Sequence, residues 1–195
     1  GLPVAPGRLP SDLDILVPQA SIEDAQHHLK AHDWHEVELD EHDQRYYREW
    51  SHEVPPMHNP RFELELDLHH GILPPVARVT VDSNLLLQRL IPSGLPVWKV
   101  LCPVDQVLHS AAHLFFDSEL RNRMRDLVDL EGLMRHFGQS PSFWDDLIER
   151  SHELGLVEPL ALAVHYTTSW LESAVPETVA RAIRLAGPGR ARRAW

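Results

Sequence analysis

The sequence predicts an α+β front half followed by an all-helical half. Three observations carry this. Residues 12–17 and 62–69 alternate apolar and acidic side chains with a period of two, as strands with one buried face do. A helical segment separates them, beginning near Ser21. From Pro103 onward the apolar spacing becomes helical and stays so.

Each element follows from local signals. Leu13, Ile15 and Val17 alternate with Asp12 and Asp14, and Pro18 ends that strand. Ser21 followed by Asp24 resembles a capping box and starts a helix that runs to about Lys30. Residues 44–50 (QRYYREW) are rich in aromatics and read as a strand. Val54–Pro60 holds three prolines and reads as a loop. In residues 62–69, Leu64, Leu66 and Leu68 take one face, and Glu63, Glu65, Asp67 and His69 the other. A short helix near 83–91 and a strand at 95–101 follow. Helices are then expected from Pro103 to about Phe116, and over 120–137, 142–154, 156–171 and 176–185. The expected division is an α+β core over 1–101 and a helical domain over 102–195, with a cleft between them. Gly187–Trp195 reads as a frayed end.

Composition narrows the function. The 195 residues carry 18 Lys+Arg against 29 Asp+Glu, a formal charge of -11. Binding to long nucleic acid needs clustered cations, so this balance argues against it. A single cysteine, Cys102, excludes a disulfide framework and reads as a buried thiol. No apolar run approaches the roughly 18 residues of a membrane span. The first residues lack the charge and apolar pattern of a signal peptide, so the expected location is cytoplasmic. There is no P-loop and no G-x-S-x-G nucleophile elbow.

The acids are more informative than their sum. Asp12 and Asp14, two apart on a strand, share a face about 7 Å apart along the chain. Glu63, Glu65 and Asp67 share one face of the second strand. Carboxylates gathered this closely repel unless they are solvated, protonated or bridged by a cation. One reading is an edge strand with its acids in water. The other is an oxygen-rich site for magnesium or manganese, as phosphoryl and nucleotidyl transfer require.

With these residues in view a resemblance appears. RLPSDLDILV (residues 8–17), then Leu66-Asp67-Leu68-His69, resembles the nucleotidyltransferase superfamily. The match is to a family of uncharacterised bacterial nucleotidyltransferases with an S-D-[IL]-D-[IL]-L-V motif. The helical tail is similar too: Leu101-Cys102-Pro103-Val104-Asp105, His109, His113 and Leu127-Val128-Asp129-Leu130. The resemblance implies a polymerase-beta-like mixed sheet followed by a helical domain. It implies that Asp12 and Asp14 hold Mg2+ or Mn2+, with Asp67, the acid just before Leu-His, as the third carboxylate. The implied reaction moves a nucleoside monophosphate from a triphosphate (NTP) to an acceptor hydroxyl. The superfamily also has a glycine-containing phosphate-holding element upstream of D-x-D. Only eleven residues precede Asp12 here, so the chain reads as N-terminally truncated or degenerate. Arg8 and Ser11 are then the nearby phosphate contacts, with His69 on the Asp67 face as a third. The degenerate alternative is a catalytically silent binding or regulatory module, as in toxin–antitoxin-like pairs.

Other candidates have plainer readings. Adjacent strand residues point to opposite faces, so His69 and His70 cannot share an ion without a bulge. His109 and His113 have helical ligand spacing, but Ser110 stands where the H-E-x-x-H signature needs glutamate. They read as two histidines on a half-buried helix face, or as cleft-lining residues if the resemblance holds. Arg125 and Asp129 read as a surface pair, among Arg121, Arg123 and Asp126. Trp98, Trp144 and Trp170 read as core or interface aromatics rather than base-stacking platforms.

Overall fold

The computed structural model describes Leu2 and residues 12–62, 64–117 and 123–186. Contacts divide the chain into two compact units, one ending at Gln88 and the other beginning at Arg89. The β5–β6 hairpin (Ile91–Pro92 and Lys99–Val100) groups with the helices, whereas the helical pattern in the sequence begins only at Pro103.

The first unit is built on a mixed sheet of order β1-β4-β3-β2: β1 (Asp12–Leu16), β4 (Glu65–His69), β3 (Met57–His58) and β2 (His35–Glu36). The β4 strand is central, parallel to β1 and antiparallel to β3. Its alternation has a direct consequence: Leu66 and Leu68 are buried and form a core cluster with Met57. Ile15, Val17, Trp34 and Val54 pack on that cluster, with Ile22, Ala25 and Leu29 of helix α1 (Ile22–Lys30). Those three positions fall on one helix face, which is why this segment folds onto the sheet.

Helix α1 begins where expected but by another device. The Ser21 side chain makes no capping bond; a 3-10 turn over Gln19–Ser21 leads into the helix instead. Glu23 and Asp24 in its first turn, and Lys30 in its last, complement the helix dipole.

One expectation is corrected. The QRYYREW segment, read as a strand, lies in helix α2 (Glu41–Glu49). Its aromatic content favoured a strand, but its polar contacts favour a helix. Asp40 caps the N-terminus, accepting from the Asp43 N–H at 2.9 Å, and Arg45 pairs with Glu49 one turn on at 3.1 Å. The stretch read as a loop, Val54–Pro60, holds the two-residue strand β3. Asn59, buried behind it, donates to the His32 carbonyl at 3.0 Å and accepts from the Arg61 N–H at 2.9 Å. Helix α3 (Ser83–Leu87) falls within the expected short helix.

The second unit holds helices α4 (Pro103–Ala112), α5 (Met124–Phe137), α6 (Phe143–Glu153), α7 (Val157–Trp170) and α8 (Glu177–Ala186). Pro103 opens α4 at its first turn, where a missing N–H costs nothing. Regular α-helix stops at Ala112, and a π-helical stretch, His113–Asp117, continues it. The buried side of α4 (Val104, Val107, Leu108, Ala111) packs among α5, α6 and α7. Cys102 is buried, and burial pushes its thiol pKa up. Of the tryptophans read as core or interface aromatics, Trp98 and Trp170 are not core, being 49% and 60% exposed.

Gly138 closes α5 because nothing larger fits. A Cβ there would lie 2.6 Å from the Met134 carbonyl oxygen and 2.7 Å from the Trp144 ring. Gly138→Ala is therefore expected to cost about 1–3 kcal/mol, read from the urea midpoint, because backbone and ring must both move. Among the described residues no helix is long and apolar enough to cross a membrane.

Candidate functional site

The acids converge because of strand register. Strands β1 and β4 run in parallel, with Asp12 opposite Glu65 and Asp14 opposite Asp67. Paired residues in a parallel ladder share a face. Ile15, Leu66 and Leu68 go to the core, although Leu13 stays exposed at the strand's start, so Asp12, Asp14, Glu65, Asp67 and His69 are left on the other side. One carboxylate oxygen from each of Asp12, Asp14 and Asp67 lies within 4.8 Å of the others. Asp12 and Asp14 are exposed, and Asp67 is half-buried.

This donor set fits a hard divalent cation. Magnesium holds oxygens at about 2.1 Å in an octahedron, which puts ligand oxygens about 3–4 Å apart. The three oxygens, within 4.8 Å of one another, lie near that spacing. The electrostatics agree. Burial raises the Asp67 pKa, the negative charge of Asp14 raises it further, and His69 opposes the rise. Without a cation, Asp67 therefore keeps its proton to higher pH than a free aspartate does.

A second arrangement adjoins the first. An antiparallel bridge sets Glu53 opposite His69. The His52 carbonyl accepts from the His70 and Gly71 N–H groups at 2.9 and 3.2 Å. His69 then lies between two carboxylates: Nε2 is 3.2 Å from Asp14 Oδ1, and Nδ1 is 3.2 Å from Glu53 Oε2. The His52 ring centroid is 5.3 Å from that of His69. Gly71 permits the approach, since a Cβ there would meet the His52 Cβ at 3.2 Å. With the His52 backbone held by two hydrogen bonds, Gly71→Ala should cost about 1 kcal/mol and displace the His52 ring. Thermal unfolding and the His52 imidazole shifts measure both effects.

The histidines titrate apart. Burial pulls the His69 pKa down, but the Asp14 hydrogen bond and the charges of Glu53, Asp14 and Asp67 outweigh it, and the net shift is upward. For His70, burial and the neighbouring His69 both push the pKa down. The sign follows for stability. The folded-state pKa of His69 is above its unfolded value, so its contribution is full below the ordinary pKa of 6.5 and is lost as pH rises through the folded pKa. In metal-free protein, imidazole NMR should place the His69 midpoint above 6.5 and the His70 midpoint below it. Asp14→Asn should lower the His69 midpoint.

Residues singled out in the sequence fare unequally. Asp12, Asp14, Asp67 and His69 come together. Glu65 shares their face but is not in the carboxylate group. Arg8, Ser11 and Glu63 lie outside the described residues. The metal-capable groups among the described residues include neither His109 nor His113. Of the arginine group, Arg123 pairs with Asp126 at 3.1 Å, and Arg121 lies outside the described residues. Sequence reasoning missed Glu53 and Tyr47. Burial, then the charges of Glu53 and Asp67, raise the Tyr47 pKa, which places its hydroxyl in the field of these acids. A further group, Asp40, His42 and Asp43, is exposed at the start of α2, where Asp40 already serves as the cap.

The nucleotidyltransferase resemblance implies a mixed sheet with Asp12, Asp14 and Asp67 as its carboxylates, and the structure has such a sheet, with the strands of these residues paired in parallel. The model of the family described as "Uncharacterised nucleotidyltransferase" matches residues 1–172, and the chain belongs to that family. No curated protein and no solved structure matches the chain.

Proposed function

We propose that the chain is a metal-dependent nucleotidyltransferase that moves a nucleoside monophosphate from a triphosphate to an acceptor hydroxyl. The observation that carries this is the convergence of Asp12, Asp14 and Asp67 within 4.8 Å, in a chain of the nucleotidyltransferase family. Asp12 and Asp14 would hold Mg2+ or Mn2+, with Asp67 as the third ligand. When bound, such an ion neutralises triphosphate charge and stabilises the leaving pyrophosphate.

The chain's own residues do the rest. Asp67, half-buried beside Asp14, would also accept the proton of the acceptor hydroxyl as that oxygen attacks phosphorus and pyrophosphate leaves. His69 would help orient the Asp14 carboxylate through the Nε2 contact to its Oδ1. Arg8 and Ser11 are proposed to donate to the phosphates, one as a guanidinium and one as a hydroxyl. The acceptor would be a small molecule, a tRNA end or a protein side chain, and the net charge of -11 disfavours a long nucleic acid.

The test is to incubate the chain with labelled triphosphates, Mg2+ and cell extract. Pyrophosphate release with a labelled acceptor is the expected result. Neither product from any of the common triphosphates, with Mg2+ or Mn2+ in excess, would contradict the assignment and favour a silent binding module.

A further inference from the structure

We infer that His52, Glu53 and His69 form a site for a transition-metal ion of the zinc class, distinct from the carboxylate site and tied to it through Asp14. The three residues each offer a donor atom, and these atoms lie within 4.8 Å of one another on partly buried side chains. The donor set is chemically different from that of Asp12, Asp14 and Asp67. Two imidazoles and one carboxylate suit zinc and its neighbours, whereas magnesium prefers oxygen alone.

The geometry supports a shared ion. Ligands held tetrahedrally about 2.05 Å from zinc are about 3.3 Å from each other. His69 Nδ1 and Glu53 Oε2 are 3.2 Å apart, which matches one edge of that tetrahedron. With Nδ1 turned to the ion, Nε2 carries the ring proton and donates to Asp14 Oδ1 at 3.2 Å. A carboxylate behind the far nitrogen of a ligating histidine is the usual way such a ring is oriented and made more basic. The backbone prepares the site as well. The Glu53–His69 bridge and two N–H donors on the His52 carbonyl fix the chain on both sides, and Gly71 leaves room for the His52 side chain.

Three protein ligands leave a fourth position open, as in zinc sites that bind water or a substrate oxygen. The group it would admit is a hard oxygen donor, such as water or a phosphate oxygen. This inference does not depend on nucleotidyl transfer, and the two can fail separately.

The probe is Co2+ added to the full chain after chelator treatment. Wild type should give the intense visible bands of a four- or five-coordinate cobalt site, abolished by Zn2+. Glu53→Gln and His52→Ala should each weaken binding about tenfold or more. Asp14→Asn, removing the group behind His69, should weaken it by roughly 10–100-fold. Asp12→Asn should leave the intense bands and their titration midpoint unchanged, since Co2+ held six-coordinate by carboxylates and water absorbs only weakly. X-ray absorption of the zinc-loaded wild type should show two imidazoles, a readout that survives if a variant fails to fold. Absence of the bands, equal binding by Glu53→Gln and His52→Ala, or a zinc shell without imidazole would overturn the inference. Loss of cobalt binding in Asp12→Asn with retention in Glu53→Gln would also overturn it, assigning the ion to the carboxylates.

Discussion

Replacing Arg150 with alanine is expected to lower stability by about 3–5 kcal/mol. Arg150 on α6 is 1% exposed, and Asp105 on α4 is fully buried. The guanidinium grips that carboxylate side-on through two parallel bonds, Nε to Oδ1 at 2.7 Å and Nη2 to Oδ2 at 2.9 Å. Nη1 reaches Glu153 at 2.7 Å. Burial alone would depress the Arg150 pKa, yet these two acids raise it. Truncating Arg150 leaves the Asp105 carboxylate without its counter-charge inside the helical unit. That penalty, rather than the lost attraction, sets the size of the effect. The melting temperature should fall by roughly 10 °C for a chain of this length. The double variant Arg150→Met, Asp105→Leu removes both charges and should be markedly more stable than Arg150→Ala. If the double variant is the worse of the two, the pair stabilises by attraction and the explanation fails. Glu153 contributes in its own way. The Arg150 hydrogen bond holds its pKa below the usual carboxylate range, so its contribution is present above that range and is lost as pH falls through the folded value.

Asp14→Asn is expected to reduce nucleotidyl transfer about a thousandfold, the equivalent of ~4 kcal/mol of transition-state stabilisation. Asp14 occupies the densest point of the site. It faces Asp67 across the parallel ladder, contributes to the carboxylate group and accepts from His69. Asparagine keeps the shape but loses the charge, so the fold should survive. Glu65→Gln is the matched control. Glu65 lies on the same face, opposite Asp12, but outside the carboxylate group, so its loss should change the rate little. Equal losses from the two variants would mean that general negative charge, not a defined ligand set, carries the activity.

Much of the sheet was legible because it rests on local patterns. The alternation in residues 62–69 identified β4 and its buried leucines, and the shorter alternation around Asp12 identified β1. The parallel pairing that brings Asp14 to Asp67 was not local. It joins residues more than fifty apart, and only the family resemblance selected Asp67 over Glu65. Glu53 was invisible for the same reason, since nothing near it in sequence announces a bridge to His69. Tyr47 lies in helix α2, whose aromatic residues read as a strand; the signal for the helix is the Asp40 cap just before it. The strands β2 and β3 are two residues each, too short to show a period.

The central claim is that Asp12, Asp14 and Asp67 hold a divalent cation. Calorimetric titration of Mg2+ and Mn2+ into the full chain and into Asp12→Asn, Asp14→Asn and Asp67→Asn tests it most directly. Saturable binding to wild type that is lost in each variant is the predicted result. No binding to wild type, or binding that the three substitutions leave unchanged, would contradict it.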